Sequence, residues 1–137
     1  MGPLDTPYKG GLFLLRLLFP DNYPLERPLV RFITPIYHVN VNPHKYNYKG
    51  ATPLGYISIS TLNFWRPETK IRDVLISIFV LLYMNNPETP YDLDMNFEFS
   101  NNFILFVEKI RYFTKKYANF ANGIRKEFDR SWDFSYK

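Results

Sequence analysis

Hydrophobic positions change their spacing along this chain. Residues 12–19 read Leu-Phe-Leu-Leu-Arg-Leu-Leu-Phe, between Gly10-Gly11 and Pro20-Asp21-Asn22-Tyr23-Pro24. A run of that length between such breakers predicts a mostly buried strand. A second short strand is expected over 29–33, between Pro28 and Pro35, and two consecutive strands with a brief connection favour an antiparallel pair. From 41 to 54 there is little periodicity, which predicts a long loop. Residues 55–60, Gly-Tyr-Ile-Ser-Ile-Ser, alternate over a short span before the turn-like Trp65-Arg66-Pro67. Residues 73–84 are apolar nearly all round. Hydrophobicity alone allows strand or helix there; Lys70-Ile71-Arg72-Asp73 leading in and Asn85-Asn86-Pro87 closing favour a buried helix, placed centrally because its whole circumference asks for cover. Phe103, Phe106, Val107, Ile110, Phe113 and Tyr117 then recur at helical spacing, with Ser100 or Asn101 as the expected N-cap. Such a stripe reads as core rather than as a cofactor site.

Proline sharpens the division. Eight of eleven lie in the first 53 residues, three between Pro67 and Pro90, and none beyond. Because proline lacks a backbone donor and fixes φ, strands and turns are expected first and helices last, giving an α+β domain. At 137 residues, with 46% hydrophobic and 19% aromatic content, the chain has the apolar area for one core and is not a disordered sequence.

Composition removes several chemistries. With no cysteine there is no disulfide, thiolate metal site, iron–sulfur cluster or thiol nucleophile, and two histidines, His38 and His44, make a histidine-based metal site improbable. No cofactor or metal is expected. The apolar runs fall far short of the roughly 20 residues of a membrane span, and the first residues lack a signal peptide's basic and apolar regions, so the expectation is a soluble protein of the cytoplasm or nucleus. The net charge of +4 is concentrated: residues 109–137 hold eight Lys or Arg against three acids. That segment reads either as a surface for an acidic partner or as a solvated helix face and end, the dispersed charges favouring the second. Nucleic-acid binding has no sequence code behind it here.

In order, Gly2-Pro3, Thr6-Pro7-Tyr8-Lys9-Gly10-Gly11, Phe19-Pro20-Asp21-Asn22-Tyr23-Pro24, Val30-Arg31-Phe32, Ile36-Tyr37-His38-Val39-Asn40, Trp65-Arg66-Pro67, Val74-Leu75-Ile76-Ser77-Ile78, Asn86-Pro87-Glu88-Thr89-Pro90 and Phe113-Thr114-Lys115-Lys116-Tyr117-Ala118 resemble the ubiquitin-conjugating (E2) catalytic core. The resemblance covers about 2–118, leaving 119–137 as a basic, aromatic C-terminal extension. It implies the UBC-like fold: an antiparallel meander sheet, a central helix and C-terminal helices. The family's N-terminal helix and first strand have no counterpart, which would leave a sheet edge open unless 119–137 covers it.

The family's chemistry, which passes ubiquitin from a thioester to a lysine amine, requires a cysteine. The resemblance puts Ser58 at that position. A hydroxyl ionises far above the ~8.5 of a free thiol and is a poor nucleophile without an adjacent base. Asn40 matches the asparagine of the family's His-Pro-Asn motif, which implies oxyanion stabilisation or loop ordering, with Val39 in place of the proline and His38 in a structural role. Ser60 and Thr89 stand where the family often carries acids that help deprotonate the incoming lysine. Pro24 and Leu25 in one loop, and Arg66, Pro67 and Glu68 in another, match ligase-contact positions, Glu68 replacing a small residue. Residues 43–53 form an insertion beside the site.

These readings imply a protein that holds ubiquitin, a ubiquitin-like protein, an active conjugating enzyme or a RING-type ligase without forming a thioester. The alternative is an active conjugating enzyme whose cysteine was changed to serine at 58. A hydrolase pairing Ser58 with His38 is a third reading, weakened because Gly-Tyr-Ile-Ser-Ile-Ser lacks the Gly-x-Ser-x-Gly elbow.

Overall fold

The computed structural model describes residues 1–44, 54–119 and 132–136; the greater part of the 43–53 insertion and of the 119–137 extension lies outside these. Two strands, β1 (Leu15–Leu18) and β2 (Leu29–Phe32), form an antiparallel sheet with Leu15 opposite Phe32 and Leu18 opposite Leu29. Four helices follow: α1 (Ser60–Asn63), α2 (Ile71–Leu81), α3 (Leu93–Asn101) and α4 (Phe103–Tyr117). The antiparallel pair and the sheet-then-helix order agree with the α+β expectation.

The run at 12–19 is not the buried strand expected of it. Only four of its residues are strand, alternating half-buried Leu15 and Leu17 with exposed Arg16 and Leu18. Leu12, Leu14, Leu18 and Phe19 of the run stay exposed. β2 is anchored from the other side: Phe32 N–H donates to Gly55 O at 2.8 Å. Gly55 has φ +79°, and a Cβ there would sit 2.0 Å from Phe32 O, so only glycine allows this approach.

The extended segment after β2 is buried more continuously than α2. Residues 32–42 are buried without a break, and Ile36, Val39 and Val41 meet Phe106, Ile110, Phe113 and Tyr117 of α4 together with Val74 and Ile78 of α2 in one core. α2 itself buries only Val74 and Ile78, leaving Leu75, Ile76, Phe79 and Val80 exposed by 41–47%. The cover on several sides expected from its apolar circumference is therefore corrected: the helix buries one stripe, Val74 and Ile78, and leaves most of the rest in solvent.

α4 spans the expected residues, but its cap is Asn102, whose Oδ1 accepts from Leu105 N–H at 3.3 Å. Ser100 and Asn101, the expected caps, are the last residues of α3. α3 itself was not foreseen; Asp92 caps it by accepting from Met95 N–H at 2.8 Å, and Met95 is its one buried residue. Residues 132–136 lie against α4: Phe134 meets Phe113 at 4.8 Å and Tyr37 at 5.3 Å between ring centres, and Tyr117 OH donates to Asp133 O. Among the described residues no helix is long and apolar enough to cross a membrane.

Candidate active site around Ser58

Strand-like pairing of 40–42 with 56–58 positions the site. Val41 and Ile57 form an antiparallel bridge, Asn42 N–H donates to Tyr56 O at 2.9 Å, and Ser58 N–H donates to Asn40 O at 3.0 Å. Alternation then decides what faces solvent: Ile57 and Ile59 are buried, so Ser58 between them points outward and is half-buried. Its hydroxyl accepts a 3.3 Å hydrogen bond from Asn63 Nδ2, at the end of α1.

Asn40, fully buried, is the tie between this segment and the loop after α2. Its Nδ2 donates to Asn86 O at 2.8 Å and Thr89 O at 3.1 Å, with a longer approach to Thr89 Oγ1, while its Oδ1 accepts from Asn86 N–H at 2.7 Å. Both amide hydrogens are committed to carbonyl oxygens. Of the two roles the resemblance implies, loop ordering is the one these bonds suit.

Ser58, Ser60 and Thr89 share one groove of about 590 Å³. Its walls include Ile76 and Val80 on α2, Met84 just past its end, Phe64 beyond α1, and Asn86 and Pro87 of the tied loop. Among the described residues no acid, base or cation lines it. Ser60 is exposed, and Thr89 directs both its oxygens toward Asn40.

His38 is inside the core beneath. Nδ1 accepts from Asn40 N–H at 3.0 Å, which places the proton on Nε2, and that nitrogen donates to Leu81 O at 2.9 Å. Burial drives its pKa down to about 4, against the smaller opposing pull of the Leu81 carbonyl, so the ring is neutral at pH 7. With both nitrogens bound to backbone, His38 cannot accept a proton from Ser58, and the hydrolase reading is overturned. Val39, where the family motif has proline, uses the N–H that proline would lack: it donates to Asn85 Oδ1 at 3.0 Å. Asn63 and Asn85 were not singled out from sequence, since a lone asparagine carries no mark of its partner across a loop.

The two loops flagged as ligase contacts meet through Trp65, whose Nε1–H donates to Pro24 O at 2.8 Å and whose ring lies 6.0 Å from that of Tyr23. Leu25 is 74% exposed beside them. Arg66, Pro67 and Glu68 are exposed on the second loop, which a bond from Thr69 N–H to Arg66 O closes at 2.9 Å. Among the described residues no cluster of three or more potential ligands could hold a metal ion.

Comparison with known proteins bears on this arrangement. The family model described as "Ubiquitin-conjugating enzyme" matches residues 1–114. The chain is 37% identical over 118 residues to "Ubiquitin-conjugating enzyme E2 T" of Mus musculus, a match covering 86% of this chain and 55% of that protein. It is 42% identical over 118 residues to "Ubiquitin-conjugating enzyme E2 13" of Schizosaccharomyces pombe, covering 85% and 73%. The solved E2 domain of a ubiquitin conjugating enzyme from Toxoplasma gondii superposes with a TM-score of 0.74 at 33% identity, covering 86% of this chain and 76% of that one. The chain thus spans little more than half the length of the mouse relative.

Proposed function

This chain belongs to the ubiquitin-conjugating enzyme family, and from that premise we propose that it is an E2-like binding or regulatory module that forms no thioester. The observation that carries the reading is the groove itself. Where the family's chemistry needs a thiolate, Ser58 offers a hydroxyl whose polar neighbour is the Asn63 amide, and among the described residues no titratable group lines the space around it. A thiolate would attack the thioester carbonyl and expel the activating enzyme's sulfur. A hydroxyl must lose its proton first, and here nothing is placed to take it. Were acylation forced, the product would be an oxyester, which is less reactive toward amines than a thioester.

What remains is a surface for holding things. Apolar side chains of α2 beside Ser58 and the Trp65-tied loops with exposed Leu25 suit ubiquitin or a ubiquitin-like protein on one side, and a RING-type ligase or an active conjugating enzyme on the other. Titrating the chain into isotope-labelled ubiquitin and ubiquitin-like modifiers tests this: saturable shift changes are expected, and their absence for every modifier overturns the reading.

One observation favours a second reading, an active conjugating site with serine in place of cysteine at 58. The backbone around the position is held in place, with Asn40 holding the 86–89 loop and Val39 tied to Asn85. Ser58→Cys discriminates. If the variant takes ubiquitin from activating enzyme and ATP and discharges it onto lysine, the frame is competent and the second reading stands; if it stays uncharged, the scaffold as well as the nucleophile has left catalysis.

A further inference from the structure

A second groove, of about 770 Å³, lies between the turn at 4–10 and the last turns of α4, and it shares no residue with the groove around Ser58. Among the described residues Lys9, Arg111 and Lys115 line it against a single acid, Asp5. Arg111 and Lys115 are four residues apart on α4, so they stand one above the other on the same face, and that spacing of like charges is destabilising unless something neutralises it. Lys115 is partly accounted for by the negative end of the helix dipole. Arg111 is a full turn further in, and Lys9 comes from another part of the chain. Among the described residues no acid forms an ion pair with any of the three.

From this arrangement we infer that the groove is a docking site for an acidic peptide segment of a partner protein, one that carries an apolar residue between carboxylates. Charge selects the sign of the occupant, three cations facing one acid. Leu4, Pro7 and Ala118 supply an apolar lining that a bare anion would not use, and the volume is that of a ligand larger than a single phosphate. Nucleic acid fits less well, because among the described residues the lining holds no aromatic ring on which a base would stack. A membrane surface is disfavoured by a lining whose one large exposed hydrophobic side chain is Leu4.

The probe is a fluorescein-labelled peptide, Glu-Asp-Leu-Leu-Asp-Glu, titrated with the full chain while anisotropy is read. Saturable binding is expected that weakens steeply as ionic strength rises from about 0.05 to about 0.5 M. The double reversal Arg111→Glu with Lys115→Glu is expected to weaken binding by about tenfold or more, since two exposed ion pairs become repulsive. Amide shifts of the unaltered chain should move at 4–10 and 111–119, a readout independent of whether the reversed variant folds. The inference is overturned if the peptide fails to saturate, if a lysine-for-acid version binds as tightly, if the shifts fall outside those segments, or if duplex DNA or phosphatidylserine vesicles bind there more tightly than the peptide.

Discussion

Replacing Asn40 by alanine removes the tie between the Ser58 segment and the 86–89 loop. Three well-formed hydrogen bonds disappear, two donated to Asn86 O and Thr89 O and one accepted from Asn86 N–H. Each is worth about 0.5–1.5 kcal/mol net, and because Asn86 and Thr89 are exposed, the freed backbone groups find water and the loss falls toward the lower end. With the small cavity left at a fully buried position, the expected destabilisation is about 2–3 kcal/mol, or a fall in Tm of roughly 6–12 °C for a chain of this size. Asn40→Asp keeps the size but turns a carboxylate oxygen toward two carbonyl oxygens, so near neutral pH it should cost more than alanine. Calorimetry gives the first quantity, and hydrogen exchange at the Asn86 amide gives the local one. A Tm within about 2 °C of the parent, with that amide equally protected, would refute the assignment of Asn40 as the loop's anchor.

Other expectations follow from the same contacts. His38 is held neutral with a pKa of about 4 against 6.5 unfolded, so between these values the unfolded chain binds more protons; stability present above pH 6.5 is lost as pH falls toward 4, by about 3 kcal/mol in total. Urea denaturation at pH 7 and pH 4.5 measures it, and a His38→Gln variant should lose this part of the slope. Phe134→Ala should cost about 2 kcal/mol, since its half-buried ring packs on Tyr37, Phe113 and Trp132; an unchanged denaturation midpoint would mean 132–136 contributes nothing to the core. Trp65→Phe keeps most of the ring but loses the bond to Pro24 O, so it should cost no more than about 1 kcal/mol while raising hydrogen exchange around 22–25.

What the sequence made legible was local. The stripe from Phe106 to Tyr117 is one face of one helix, so spacing alone found α4, and Pro28 and Pro35 bracket β2 closely enough to place it. What it hid depends on neighbours. The Leu-rich run at 12–19 and the apolar helix α2 look buried from within, but exposure is set by how many layers surround them, and one face of each stays exposed. α3 escaped because Met95 is its one buried side chain and it therefore has almost no stripe. At the site, Ser58 and Asn40 were legible because they fall within recognisable motifs. That the Asn40 amide is fully spent on Asn86 and Thr89, and that Val39 offers Asn85 a donor in place of proline, are facts about partners more than forty positions away.

Oxygen at position 58, with no base among the described residues of its groove, is expected to end acyl transfer. The direct measurement is a multiple-turnover assay of the unaltered chain with activating enzyme, ATP, ubiquitin and free lysine, following ubiquityl-lysine by mass spectrometry. No product above that of the Ser58→Ala variant is predicted; steady accumulation that Ser58→Ala abolishes would contradict the account.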